Sequence, residues 1–372
     1  MRRGIYAILC LLIIIIIACL VVPSTKCSRN TELFSNRNIT YDSVSVGVIV
    51  INTGTPASLS KKDVQCFIGD ILSDGYVMGM PAWARTIIAR KIIAPMRVSS
   101  SLKKYSLIWG DSIQSPLLLN TVALADSIER ALSLPIAVAM RYGTPSVEQA
   151  VAELEKRCPN MEEVVLLPLF PQYAESSYLT AVEAVRRFPC FMSGKYNLRV
   201  VGPYYDNHSY ITALANKINA YSNGCGDFHL LFSYHSLPLS HVEAGRFKGK
   251  DFDYEYQCRE TARLTAQQLG ITDFSVVYAS AMGKKWQKPM LEDFVGELPA
   301  KGVKKIAVVA PGFIIDNLET LYDINISARR IFEKNGGESF LFIPCLNDQF
   351  SCSAATITSK HILQAELTRN TN

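Results

Sequence analysis

Four short apolar runs, spread along the chain after residue 42, constrain the fold more than any other feature of the sequence. They are VGVIVIN at 46–52, VVLLPLF at 164–170, LLFSYHSLP at 230–238 and IAVVAPGF at 306–313. Each run is β-branched or leucine-rich, and Pro, Gly or Ser residues accompany its carboxyl end. Continuous apolar runs of this length are typical of parallel strands that are buried on both faces. We therefore expect buried strands with functional loops at their carboxyl ends.

Helical patterns lie between these runs. Residues 121–132 and 146–157 place apolar side chains at the 3.6-residue spacing of an amphipathic helix. Ser146 and Gln149 form the capping-box pattern that begins a helix. Strands that alternate with helices predict an α/β sheet wound in βαβ units.

Chain length and an internal repeat together predict two similar halves. The chain has 372 residues, which suits about two domains at roughly 150 residues each. Residues 150–170 and 293–313 share one layout, in which a helix with a Glu-Leu pair leads through a polar turn into a strand. Ligands of open α/β sheets usually bind at the carboxyl ends of the strands. Two such halves facing each other would therefore enclose a cleft between those ends.

Residues 5–22 form an apolar segment that carries no charge. As a helix rising about 1.5 Å per residue, this segment would span roughly 27 Å, enough for the hydrocarbon core of a bilayer. We expect a single membrane anchor here, in a bacterial or organellar inner membrane; a cleaved signal segment and an organelle-targeting segment remain alternatives. Arg2 and Arg3 precede the segment and would hold the N-terminus in the cytoplasm, but the side of the membrane on which the body lies stays open.

Charge and cysteine spacing argue against two classes of protein. The net charge of +5 is not that of a dedicated nucleic-acid binder, so we expect no nucleic-acid partner. The ten cysteines contain no Cys-x2-Cys pair, which disfavours a structural zinc site. We expect most of them to be buried free thiols.

His235 is the one histidine that lies directly at the end of an apolar run. A lone histidine is often a packed or exposed residue, but a strand tip favours function. A neutral imidazole at this place can accept a proton or bind a divalent metal.

A row of acidic residues follows the last apolar run. Asp316, Glu319 and Asp323 have i, i+3, i+7 spacing, which predicts one shared helical face. Acids in a first turn can simply compensate the helix dipole, which explains Asp323 poorly. Such a row can also transfer a cation or protons, and His235 with Glu319 across the cleft would bind a divalent first-row metal.

The stretch 75–110 has six basic residues and no acidic one, and aliphatic residues lie between the basic ones. This pattern indicates a surface that touches a membrane or an amphiphilic anion. An ordinary amphipathic helix packed on the core is the alternative. Trp83, Trp109 and the methionines Met78, Met80 and Met96 would form an apolar wall suited to a flat ligand.

Eight short motifs occur in the order in which one known family carries them. They are Asn52-Thr-Gly-Thr-Pro56, Leu72-Ser-Asp74, Tyr105-x-x-Ile-Trp109, Ser115-Pro-Leu117, Met140-Arg-Tyr-Gly143, Pro171-Gln-Tyr173, Ser233-Tyr-His-Ser-Leu-Pro238 and Asp316-Asn-Leu-Glu-Thr320. On these motifs the chain, from about residue 46 to about residue 346, resembles the ferrochelatases, which insert Fe²⁺ into a porphyrin in the last stage of haem synthesis.

The resemblance implies a fold and a domain organisation. The family has two similar Rossmann-like, doubly wound parallel-sheet α/β domains around a central porphyrin cleft. The expected organisation is an anchor or signal segment at 1–30, a first domain at 44–200 with an apolar lip at 75–110, a second domain at 201–350 that carries the catalytic histidine and the acidic helix, and a C-terminal helix or tail at 351–372.

The resemblance also implies residue roles. His235 corresponds to the catalytic histidine and Glu319 to the essential carboxylate, and both are expected to bind the metal. Asp316 and Asp323 are expected to relay protons or metal. The expected porphyrin-binding residues are Met78, Arg141, Tyr142, Tyr173, Ser233 and Trp286. The expected partners are porphyrin and Fe²⁺ as substrates, a membrane surface at the lip and a possible second copy of the chain.

The chain departs from the family pattern at 279–289. Gly283, Trp286 and Pro289 remain, but the usual Gln and basic residue are replaced by Ala279 and Ala281. The animal-type C-terminal cysteine cluster for an iron–sulfur centre is missing, so we expect no iron–sulfur cluster and no cofactor beyond substrate Fe²⁺. Two alternatives stay open, namely a chelatase for another metal or tetrapyrrole and a catalytically impaired, membrane-tethered porphyrin or haem binder. The sequence also leaves open whether protoporphyrin IX or coproporphyrin is the substrate.

Overall fold

The computed structural model describes residues 39–369 apart from residues 111, 113 and 225, and side chains only as far as residue 362. Eight strands lie in this part of the chain. They are β1 (Val46–Gly54), β2 (Ile136–Tyr142), β3 (Glu163–Pro168), β4 (Asn197–Val200), β5 (His229–His235), β6 (Phe274–Ala279), β7 (Lys305–Val309) and β8 (Ser339–Ile343).

The strands form two parallel four-stranded sheets of identical topology. The first sheet has the order β2-β1-β3-β4 and the second has the order β6-β5-β7-β8. All six neighbouring pairs are parallel. The two halves predicted from the internal repeat are thus confirmed, since its two copies end in β3 and β7, which hold equivalent positions in their sheets.

Helices connect the strands and cover the sheets. The α-helices are α1 (Lys61–Leu72), α2 (Ala82–Ile87), α3 (Ala94–Trp109), α4 (Pro116–Leu132), α5 (Val147–Arg157), α6 (Thr180–Arg186), α7 (Pro189–Met192), α8 (His208–Ser222), α9 (Leu239–Lys248), α10 (Tyr254–Leu269), α11 (Leu291–Glu297), α12 (Arg329–Lys334) and α13 (Ser351–Arg369). Three π-helical segments, π1 (Ile88–Ile93), π2 (Glu175–Leu179) and π3 (Glu319–Ala328), and 3₁₀ turns at Leu298–Lys301 and Asn347–Phe350 complete the elements.

The two predicted helices are present. Residues 121–132 lie within α4, and residues 147–157 form α5. Ser146 accepts a hydrogen bond from the Gln149 amide while the Gln149 side chain accepts one from the Ser146 amide, which confirms the capping box. The capping box satisfies donors that the first turn of α5 leaves unpaired.

One apolar cluster joins the two halves of the molecule. It contains Val50 of β1, Leu124 of α4, Phe232 of β5, Val309 of β7 and Ile357 of α13. The C-terminal helix α13 lies against α4 and α8, so it returns from the second half onto the first. A shared core of this kind fixes how the two sheets stand relative to each other, and with it the space between them.

The predicted anchor at 5–22 lies outside the described residues. Within the described part, no helix combines the length and the apolar character that crossing a bilayer requires. The boundary expected at 200/201 falls between β4 and α8, that is, between the two sheets.

Candidate active site

A cavity of about 660 Å³ opens where the carboxyl ends of the two sheets face each other. From the first half it is lined by residues 52–55, 115–117, Phe170 and Gln172, and from the second half by His235 and residues 279–282, 290–292, 312–313 and 317–319. This is the place at which open α/β sheets bind ligands, and the volume lies in the usual range for small-molecule sites.

Two of the sequence motifs shape the wall of this cavity from the first half. Gly54 has φ +109°, and a Cβ atom there would stand 1.8 Å from the Tyr142 carbonyl oxygen, so only glycine fits. Ser115 caps α4 by accepting a hydrogen bond from the Leu118 amide, and Pro116 occupies the first helical position. The start of α4 is thereby held at the cavity.

His235 and Glu319 meet in the part of the cavity wall that the second half contributes. His235 ends β5, Glu319 begins π3, and His235 Nδ1 lies 2.6 Å from Glu319 Oε2. The His235 side chain is 43% exposed, whereas that of Glu319 is 9% exposed. Tyr254 donates a hydrogen bond to the His235 carbonyl oxygen and so holds the end of the strand.

The electrostatics of this pair favour a basic imidazole. Burial lowers the pKa of His235, but the charge and hydrogen bond of Glu319 and the charge of Asp323 together raise it above its ordinary value. Because Nδ1 is taken by Glu319, Nε2 is the ring nitrogen left to accept a proton or bind a metal. In the described chain, Glu319 Oε1 is buried and has no hydrogen-bond partner.

Asp323 lies four residues after Glu319 in the same π-helical segment. It accepts hydrogen bonds from Lys104 Nζ at 2.7 Å and from Ser280 Oγ at 3.1 Å. Burial raises the pKa of Asp323, and the neighbouring Glu319 acts in the same direction, while Lys104 and Ser280 oppose the rise. π-Helical segments are rare and often mark functional sites.

Asp316 departs from its predicted place. It lies in the loop before π3 rather than on the helical face of Glu319 and Asp323, and it does not line the cavity. One carboxylate oxygen accepts hydrogen bonds from Thr320 Oγ1 and the Cys345 amide, and the other accepts one from Asn347 Nδ2. This geometry gives no support to a relay role for Asp316. Its hydrogen bonds instead connect the loop at 345–347 to the start of π3.

The six residues expected to bind porphyrin do not line the cavity either. They are Met78, Arg141, Tyr142, Tyr173, Ser233 and Trp286. Arg141 and Tyr142 are instead bonded to buried Asp74, and Ser233 is fully buried in β5. Arg141, Tyr142 and Ser233 therefore lie behind the wall of the cavity rather than in it.

Asp74 is the centre of this supporting network. Its Oδ2 atom accepts hydrogen bonds from Arg141, from the Tyr142 hydroxyl at 2.8 Å and from Thr180 Oγ1 at 2.5 Å. Burial acts to raise the pKa of Asp74, but these donors, with the Tyr76 amide, lower it below its ordinary value.

We expect Asp74→Ala to lower the free energy of unfolding by about 2–4 kcal/mol at pH 7, because buried donors lose their acceptor. A lowered folded-state pKa gives stability that is present above the unfolded pKa and is lost as pH falls through the folded value. Urea unfolding at pH 7 and in acid therefore shows a difference between variant and wild type that shrinks in acid. Exposed Asp293, changed to Ala, is the control, and an Asp74→Ala curve equal to that control contradicts the network.

Sequence reasoning missed several cavity residues, among them Arg97, Lys104, Tyr105, Tyr254 and Glu292. Arg97 and Lys104 belong to the basic stretch 75–110 and stand seven residues apart in α3, so they share one face of the helix. The seven-residue spacing could therefore have predicted that both side chains face the cavity. The cavity positions of Tyr254 and Glu292 depend on how α10 and α11 pack, which no local pattern reports.

Comparison with known proteins identifies the family. A sequence model described as Ferrochelatase matches residues 45–358. Ferrochelatase 1 of Shewanella oneidensis is 34% identical over 320 residues, which cover 83% of this chain and 93% of that protein. The ferrochelatase of Vibrio atlanticus is 33% identical over 314 residues, covering 82% and 94%. In fold, SirB from Bacillus subtilis, solved with Fe³⁺, superposes with a TM-score of 0.53 over 87% of this chain and 98% of that one, at 10% identity.

Proposed function

The chain belongs to the ferrochelatase family, and we propose that it inserts Fe²⁺ into protoporphyrin IX or a coproporphyrin to form haem with release of two protons. One observation carries the proposal, namely the His235–Glu319 pair in the wall of a cavity that both halves line. The pair joins a proton acceptor to a carboxylate, and the two groups together suit a divalent first-row metal.

His235 acts as the proton acceptor in this proposal. Metallation must remove two N–H protons from the pyrrole rings, and Nε2 of His235 is available because Nδ1 is held by Glu319. The Glu319 carboxylate stabilises the imidazolium that forms when His235 takes up a proton. The raised pKa of His235 reflects this stabilisation. Glu319 and Asp323, one turn apart in π3, then carry protons or metal between His235 and Lys104 at the lip.

The altered segment 279–289 does not remove this machinery. Ala279, Ser280 and Ala281 all line the cavity, and Ser280 donates a hydrogen bond to Asp323. Asp323 therefore keeps a hydrogen-bond donor from the altered segment. A catalytically impaired porphyrin binder has no observation in its favour.

Arg97 is the cavity cation that we assign to a porphyrin propionate. Its guanidinium contacts Met282 Sδ at 3.2 Å across the cleft, whereas Lys104 is paired with Asp323. Arg97→Ala is expected to raise KM for porphyrin about ten-fold with little change in kcat, because a charge-assisted contact to the substrate is lost. Lys103→Ala, an exposed change on the same helix that lies outside the cavity, is the control, and equal porphyrin KM values for the two variants contradict the assignment.

We also propose that the lip rests on a membrane surface. Trp83 is 68% exposed and Met96 is 78% exposed, and Ile92 between them is exposed too. Apolar side chains mixed with basic ones favour such contact. Vesicles of lipids with brominated chains should quench tryptophan fluorescence of the full chain, and Trp83→Phe should remove most of that quenching. Unchanged quenching in Trp83→Phe would contradict the proposed contact between the lip and the membrane.

Substrate choice is tested by supplying both porphyrins and several metals to one preparation. Purified protein is given protoporphyrin IX or coproporphyrin III with Fe²⁺, Co²⁺ or Ni²⁺ without oxygen, and metalloporphyrin formation is followed by absorbance. We expect Fe²⁺ to be inserted into at least one of the two porphyrins. Insertion of Co²⁺ or Ni²⁺ with no insertion of Fe²⁺ would replace this proposal by a chelatase for another metal.

A further inference from the structure

Glu292 stands where the cavity meets solvent. It lies in the first turn of α11, it is exposed, and it also lines the cavity. Its Oε1 atom accepts a hydrogen bond of 2.7 Å from Ser327 Oγ of π3. The side chain is thus held against the helix that carries Glu319.

Ser327 continues the row that Glu319 and Asp323 begin. The three residues follow one another at intervals of four in π3, and in a helix with i→i+5 hydrogen bonds such residues lie nearly above one another. At the third position the row presents a hydroxyl, and that hydroxyl holds the Glu292 carboxylate. A carboxylate from α11 therefore extends the row from the buried Glu319 out to solvent.

The carboxylates of Glu319, Asp323 and Glu292 differ in the hydrogen bonds and ion pairs that they already form. Glu319 is bonded to His235 through one oxygen, and its buried Oε1 atom has no partner in the described chain. Asp323 is paired with Lys104. Glu292 forms no ion pair with any described residue, and its side chain is exposed to solvent.

We propose that Glu292 is the capture residue for the divalent cation, the first protein ligand that hydrated Fe²⁺ meets on its way to Glu319 and His235. This inference rests on the proposed function, because it assigns a route to the metal that the function consumes. An exposed carboxylate at the mouth raises the local cation concentration and so the rate of capture. The buried free oxygen of Glu319 is the inner end to which the cation is passed.

The test compares Glu292→Gln with Asp293→Asn, which removes the same charge one residue further along α11 from an exposed side chain outside the cavity. At low ionic strength Glu292→Gln is expected to raise KM for Fe²⁺ about five- to ten-fold, with kcat and the porphyrin KM unchanged. Asp293→Asn should stay within about two-fold of wild type, and the difference should shrink at high salt. Equal KM values for Fe²⁺ in the two variants overturn the inference.

Ser327→Ala tests whether the orientation of the Glu292 carboxylate matters in addition to its charge. This variant keeps the charge of Glu292 but loses the 2.7 Å hydrogen bond that orients it. We expect a rise of about two- to three-fold in KM for Fe²⁺, smaller than for Glu292→Gln, because only orientation is lost. A Ser327→Ala value equal to wild type refutes the positioned ligand.

A measurement that needs no turnover keeps this inference separate from the proposed function. Co²⁺ is mixed rapidly with the porphyrin-free chain, and binding is followed by the visible absorbance of the ion. The association rate should fall several-fold in Glu292→Gln and not in Asp293→Asn. If the rates agree, the capture role fails even where wild-type protein makes haem; if they differ while no haem forms, the proposed function fails and the capture site stands.

Discussion

Replacing His235 by Ala is expected to lower kcat for Fe²⁺ insertion by at least about 10³-fold. The variant loses the group that is proposed to accept pyrrole protons, and general-base catalysis alone typically supplies a rate gain of about 10²–10⁴-fold. It also loses Nε2, the ring nitrogen that is proposed to bind the metal. The rate is measured without oxygen, at saturating Fe²⁺ and porphyrin, from the absorbance of haem.

A matched control lies on the same strand. His229 begins β5 and is bonded to Asp273 and Ser275, at the end of the sheet opposite to the cavity. His229→Ala removes the same side chain from the same strand and should leave kcat within about two-fold of wild type, because His229 lies at the other end of β5 and does not line the cavity. Near-normal turnover in His235→Ala would refute its assignment as the proton acceptor.

Glu319→Gln is expected to lower kcat by about 10²-fold and to shift the pH profile. The change keeps the size of the side chain but removes the carboxylate that is bonded to His235 and that is proposed to bind the metal. Exposed Glu333, changed to Gln, is the matched control, because it lies beyond π3 and outside the cavity. Wild-type turnover in Glu319→Gln would contradict the site.

The direction of the pH shift follows from His235. Glu319 raises the pKa of His235, so loss of its charge lowers that pKa. Activity needs the neutral imidazole and therefore rises with pH through the pKa of the folded protein. The acid limb of the kcat profile should move to lower pH in Glu319→Gln, and a limb that stays or moves to higher pH contradicts the pairing.

The contribution of His235 to folding stability changes with pH in the opposite direction to its contribution to activity. A folded-state pKa that is raised gives stability that is complete below the unfolded value, about 6.5 for histidine, and is lost as pH rises through the folded value. The gap in melting temperature between wild type and Glu319→Gln should thus be widest in mild acid and close toward alkaline pH.

The sequence predicts the centre of each sheet better than its edges. The four apolar runs became β1, β3, β5 and β7, which are the inner strands of the two sheets. Inner parallel strands are covered on both sides and so remain apolar throughout. The edge strands are β2, β4, β6 and β8. Of these, β4 and β8 are only partly buried, so their residues carry no comparable signal.

The candidate site shows where local patterns stop being informative. His235 and Glu319 were predicted because each ends or follows an apolar run, and strand ends of parallel sheets meet at one edge. Asp316 was misplaced because the spacing rule assumed a helix from 316, whereas π3 begins at Glu319. Arg141 and Tyr142 follow a strand in the same way, yet the buried Asp74 carboxylate, brought from a distant loop, holds them behind the wall.

The most direct measurement is haem formation by the purified full chain from Fe²⁺ and porphyrin without oxygen, with His235→Ala as the blank. We expect wild-type protein to form haem at a rate proportional to its concentration, and His235→Ala to form it no faster than the same mixture without protein. Equal rates for wild type and His235→Ala, or no rate above the protein-free mixture for either, would contradict this expectation.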